Sequence, residues 1–129
     1  MIERLQPSDR PASPLYAPLV RHNGVLYVTG QVSRDASGKI VGAGDFAKQA
    51  DQVFANLAAV LASGGAGLEH ILKMTVYVTD ARYRNEFRDA TIRHVGQHLP
   101  ASTFVVVAGL SEPQFLIEID AIAADPLGG

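Results

Sequence analysis

Glu118 and Asp120 are two acidic side chains inside an otherwise apolar alternation that runs from Phe115 to Ala123. In a strand, residues of equal parity share a face, so these carboxylates stand roughly 7 Å apart on one side. Phe115, Ile117, Ile119, Ala121 and Ala123 fall on the other side. Leu116 and Ile122 share the acidic face, so that face is expected to be partly covered. Partly covered carboxylates beside a seam suit site duty. The plain alternative is a solvent-facing charged stripe.

Other candidate constellations are weaker. His94 and His98 have the i, i+4 spacing of metal ligands, but no Glu lies between them and no third ligand is evident nearby, so exposed histidines are the better reading. His22 and His70 read as surface residues. The run Gly42-Ala43-Gly44-Asp45-Phe46-Ala47 satisfies G-x-G-x-x-A ahead of a helix. The strand before it is too short for a dinucleotide fold, and Asp45 places a negative charge where a pyrophosphate would sit. Ser33, Ser37 and Ser63 have no neighbouring base and no G-x-S-x-G context.

The chain has 129 residues, 47% of them apolar and 19% charged. This fits one globular domain over residues 1–129. Eleven basic and 13 acidic side chains give a net charge of -2. No basic excess exists to follow a phosphate backbone, so nucleic acid is not an expected partner. The absence of cysteine excludes disulfides, thiol nucleophiles and Cys-containing zinc sites. Without an apolar leader or a membrane-length apolar run, a soluble cytoplasmic protein with no membrane partner is expected.

Which elements position the carboxylates? Pro7, Pro11 and Pro14 argue for little regular structure at the start. Residues 16–22 and 25–31 flank Asn23-Gly24, a strong hairpin signal. A short strand is expected at residues 39–41. Phe46, Ala50, Val53, Phe54, Leu57, Val60 and Leu61 recur at helical spacing, so residues 45–63 form an amphipathic helix. Asp45 caps it and Gly64-Gly65 ends it. Residues 73–79 alternate as a strand. A second helix follows from Asp80 to about His98, stopped by Pro100. Strands at 103–108 and 115–123 close the chain. The order is β-β-β-α-β-α-β-β, an α+β class with two helices on one face of a sheet. The run Phe104-Val105-Val106-Val107-Ala108 is apolar on both faces. Helices can cover only one, so further copies of the chain are expected on the other.

Several stretches together carry a family resemblance. They are Tyr16-Ala17-Pro18-Leu19-Val20, Leu26-Tyr27-Val28-Thr29-Gly30-Gln31-Val32, Gln49 with Gln52 and Asn56-Leu57, and Lys73-Met74-Thr75-Val76-Tyr77-Val78-Thr79-Asp80. Pro100-Ala101-Ser102-Thr103, Val105-Val106-Val107 and Leu116-Ile117-Glu118-Ile119-Asp120-Ala121-Ile122-Ala123 complete the set. In order and spacing the chain resembles the YjgF/RidA family, also called the L-PSP endoribonuclease family, along nearly all of its length. The resemblance implies a chorismate-mutase-like subunit and a homotrimer with a central β-barrel, outer helices and three clefts between subunits. It implies hydrolysis of a reactive imine or enamine to a carbonyl compound and ammonia, with no cofactor and no metal.

Such chemistry needs a cation for the substrate carboxylate, a water aligned on the C=N carbon and a group to manage its proton. In active family members an arginine after Pro-Ala holds the carboxylate. Here that position is Ser102, so an altered substrate is expected. The alternatives are a non-catalytic ligand-binding trimer and the ribonuclease of the family's older name. The water-positioning carboxylate maps to Glu118. Tyr16, Thr29, Gly30 and Phe104 map to further cleft positions. A cleft position on the second helix maps to Arg88, with Arg93 a second candidate on a different face. The expectation is that Arg88 crosses the seam to stand near Ser102 and Glu118 of the adjacent chain, supplying the missing charge. Pairing on its own surface with Asp89 or another acid is the plain alternative.

Overall fold

Asn23 (φ 50°) and Gly24 (φ 78°) both take positive φ, which is what a type I′ turn requires. The turn joins β2 (Leu19–His22) to β3 (Val25–Gln31) and sets Leu19 opposite Val28. In this computed structural model, which describes residues 1–128, β1 (Glu3–Leu5) adds to the free edge of β2. Then follow α1 (Phe46–Ala62), β4 (Ile71–Val78), α2 (Arg84–His94), β5 (Ala101–Val106) and β6 (Ile117–Ala124). One-turn 3-10 helices at Leu68–His70 and Ala81–Tyr83 lead into β4 and α2. The strands form one sheet in the order β1-β2-β3-β6-β4-β5. Only β4 and β5 run parallel, and α2 provides their crossover.

Both helices lie on the sheet face that carries Leu26, Val28, Met74, Val76, Ile119 and Ala121, all buried. α1 presents Ala50, Val53, Phe54, Leu57, Val60 and Leu61 to it. Asp45 Oδ1 accepts from the Lys48 amide at 3.1 Å, closing the α1 N-terminus. α2 packs Phe87 between Phe54 and Phe104, with ring centroids 6.2 and 5.7 Å away.

Four local expectations change. β1 exists because it lies ahead of the prolines and pairs with β2, Glu3 opposite Arg21, in a register that local sequence does not show. Residues 39–41 form no strand beyond a single Arg34–Ile40 bridge. Asp35 Oδ1 accepts from the amides of Ser37 (2.9 Å) and Lys39 (3.0 Å), so a turn wins there. The second helix ends at His94, and Gly96 at φ 63° turns the chain away. His98 therefore lies off the helix. His94 is not simply exposed: it stacks on Phe54 (5.0 Å) and its Nε2 lies 2.7 Å from Asp51 Oδ1. The apolar run after Ser102 is not fully covered within one subunit, as its two apolar faces led one to expect. β5 is an edge strand and Val106 is 53% exposed.

Gln49 is fully buried within the apolar stripe of α1. Its Nε2 donates to the carbonyls of Gly42 (3.0 Å) and Gln114 (2.8 Å), and its Oε1 accepts from the Leu116 amide (2.8 Å). Seven residues on, Asn56 Nδ2 donates to the carbonyls of Val32 (2.9 Å) and Arg34 (2.8 Å). Replacing Gln49 with leucine strands three backbone groups, each costing about 1–3 kcal/mol when buried without a partner. Gln49→Leu is therefore expected to lower stability by about 3 kcal/mol or more, read as a large drop in the urea midpoint.

Candidate functional site

Glu118 pairs with Tyr77 across β4, and Asp120 with Thr75. These four side chains share the sheet face that the helices leave open, as the alternation in β6 requires. Glu118 and Asp120 are both half-buried. The Tyr77 hydroxyl donates to Asp120 Oδ2 at 2.9 Å, and that bond is the main cause raising the tyrosine's pKa. Burial, with the nearby Asp120 charge second, pushes the Glu118 carboxyl above the ordinary glutamate range.

The Glu118 carboxyl lies directly against Gly30. A Cβ placed on Gly30 would stand 2.8 Å from Glu118 Cδ. The approach is possible because β3 bulges there: Val28 faces Ala121, but Gln31 faces Ile119, leaving Thr29 and Gly30 opposite one residue. The Thr29 amide donates to Pro18 O at 3.0 Å. Gly30 and Tyr16 line a cleft of about 210 Å³ together with Arg10, Arg34 and Asn56. Thr29 is adjacent to this cleft in sequence but is not part of its lining.

A second cleft of about 580 Å³ holds Arg88, Ser102 and Phe104 of the same chain, between α2 and β5. Met74 and Phe87 are buried at its base, while Arg88 and Ser102 are exposed. Ser102 pairs with Met74 in β4, and Met74 also pairs with Ala121. Ser102 therefore belongs to the helix side of the sheet and Glu118 to the open side. Within one subunit they face opposite ways. Arg88 shares this cleft with its own Ser102. Arg93 is spoken for, with its Nη2 2.8 Å from Asp51 Oδ1.

The Endoribonuclease L-PSP family model matches residues 7–125. The chain belongs to the L-PSP family. It is 33% identical over 100 residues to the protein named MMF1, mitochondrial, of Saccharomyces cerevisiae, covering 78% of this chain and 68% of that one. A RutC family protein of Synechocystis is 36% identical over 120 residues, covering 86% of each. The crystal structure of RidA from the Antarctic bacterium Psychrobacter matches with a TM-score of 0.86 at 26% identity, over 95% of this chain and 98% of that one.

In this L-PSP chain three further residues border the candidate positions. Tyr77 reads as an ordinary strand residue, yet it engages Asp120. Asn56 is polar at a stripe position, a signal that could have marked it as buried. Arg84 lines the larger cleft with Arg88, one helical turn apart. Among the described residues no group of three or more His, Cys, Asp or Glu is placed to hold a metal ion. No helix there is long and apolar enough to cross a membrane.

The raised Glu118 pKa has a definite sign. An acid whose folded pKa exceeds its unfolded value destabilises the fold once both states are ionised, and the penalty fades as pH falls through the folded pKa. Glu118→Gln is expected to raise the melting temperature at pH 7. The gain should shrink toward zero below about pH 4, under the ordinary carboxylate pKa. Thermal melts across pH 4–8 measure this.

Proposed function

We propose that this L-PSP protein hydrolyses a reactive imine or enamine to a carbonyl compound and ammonia, in clefts formed between subunits of a homotrimer. One observation carries the reading: Glu118, half-buried and raised in pKa, lies against Gly30 on the open face of the sheet. A carboxyl in that state can take a proton from a water as the water attacks the C=N carbon. It can then return the proton to the departing nitrogen. Water and the imine are the only reactants, so no redox cofactor enters the balance.

The opposed directions of Ser102 and Glu118 support the assembly. A site that uses both needs the open face of one subunit and the helix-side cleft of another. Tyr16, Thr29, Gly30 and Glu118 would come from the first, and Arg88, Ser102 and Phe104 from the second. The exposed edge and apolar side chains of β5 suit burial by a neighbour. The reading keeps the chemistry in the cytoplasm, without nucleic acid or membrane partners.

Ser102 has no fixed charge, and a charge-assisted bond is about twice as strong as a neutral one. Small 2-imino acids such as 2-aminoacrylate are therefore expected to turn over slowly, and larger substrates faster. In an assay with freshly generated imines and enamines of several sizes, Glu118→Gln should lower turnover about 100-fold or more. Gly30→Ala should do likewise while keeping the fold, since the added methyl displaces only the end of the Glu118 side chain. A natural protein that turns over none of these compounds would instead be a ligand-binding member. By light scattering at micromolar concentration, the mass should be near three times 13.7 kDa, and a monomer would overturn the shared-site arrangement.

A further inference from the structure

Five of the chain's arginines are tied down. Arg10 is held by Asp9 and Asn56, Arg21 by Glu3 and Asp125, Arg34 by Glu112, Arg82 by Asp80 and Arg93 by Asp51. Arg84 and Arg88 have no acidic partner among the described residues, and both line the cleft beside Ser102. Their i, i+4 spacing puts them on one side of α2. Glu86 and Asp89 project about 100° or more away from Arg88, so neither neutralises that side.

Helix stability argues against this placement. Like charges one turn apart weaken a helix. Arg84 is also the first residue of α2, where the helix dipole disfavours a cation. Two uncompensated guanidiniums at a cleft mouth are the pattern of an anion site. The rest of the cleft is apolar: Met74 and Phe87 at the base, Phe104 beside them, and Ile92 and Leu99 at the rim. Ile92 and Leu99 are 64% and 73% exposed, so the core does not need them.

We propose that Arg88, supported by Arg84, is the carboxylate clamp of this cleft, and that it selects carboxylates with a bulky apolar body, such as aromatic 2-imino acids. The proposal rests on the deaminase reading for the chemistry at the ligand's C=N end. Moving the cation from position 102 to the helix rim moves the carboxylate outward. The space over Phe87 and Phe104 then receives a side chain. A three-carbon acid has almost no side chain to bury against that apolar base.

Calorimetric titration with product-type acids tests the clamp without turnover. Phenylpyruvate should bind the natural protein at least about tenfold more tightly than pyruvate, and Arg88→Gln should weaken it by about tenfold. The double variant Arg84→Gln/Arg88→Gln should weaken it further, while Arg88→Lys keeps most of the affinity. The methyl ester of phenylpyruvate, which lacks the charge, should bind natural and Arg88→Gln protein alike, which also shows that the variant is folded. Equal affinity of the acid for natural and Arg88→Gln protein overturns the clamp. So does equal weakening of acid and ester, pyruvate binding as tight as phenylpyruvate, or no binding of either acid. A protein that binds phenylpyruvate through Arg88 yet hydrolyses no imine keeps the clamp and loses the deaminase reading. One that hydrolyses imines equally well as Arg88→Gln keeps the reading and loses the clamp.

Discussion

The two buried amides of α1 reach the segments that must be held for Glu118 to meet Gly30. Gln49 bonds the chain at Gln114 and Leu116, immediately before β6, the strand that carries Glu118. Asn56 bonds it at Val32 and Arg34, immediately after β3 and its bulge at Gly30. Buried carbonyls and amides without partners are costly, so these segments have one satisfied arrangement against the helix. The helix thus acts as a jig. It aligns the exit of one strand with the entry of another from the side of the sheet opposite the carboxylate.

The sheet then divides the chemistry between its faces. On the helix side, Ser102 and Phe104 join a cleft whose base is apolar and whose mouth is cationic. On the open side, Glu118 stands beside an acid that is already bonded to Tyr77. A carboxylate partly desolvated next to another carboxylate keeps its proton more readily. A cationic mouth attracts carboxylate ligands. A fold that separates the two by the thickness of a sheet ties any joint use of them to association.

Much of this was legible in the residues, but unevenly. Asn23-Gly24 announced its turn because only a few residues tolerate positive φ. The alternation from Phe115 to Ala123 correctly put Glu118 and Asp120 on one face. The α1 stripe gave its helix nearly to the residue. What failed was whatever depends on distant partners. β1 pairs with β2 across a long loop, and the parallel register of β4 and β5 decides which way Ser102 points. No local pattern encodes either. Gln49 looked like surface polarity because its bonding partners lie 7 and more residues away in the loops it ties. The family resemblance suggested cleft positions, yet their split between two faces needed the pairing of Met74 with Ser102.

The strand order has a consequence for how the chain is made. β6 follows every other strand in sequence but lies between β3 and β4 in the sheet. Until it inserts, a nascent chain holds two separate fragments with two unpaired inner edges, and contacts across the sheet's middle must wait for the longest loops to close. During synthesis those edges are sticky surfaces of the kind that chaperones shield. A change that slows insertion of β6 therefore lowers the yield of folded protein even where the finished subunit is no less stable. Glu118, a half-buried carboxyl near the start of that last strand, sits where such a delay would originate.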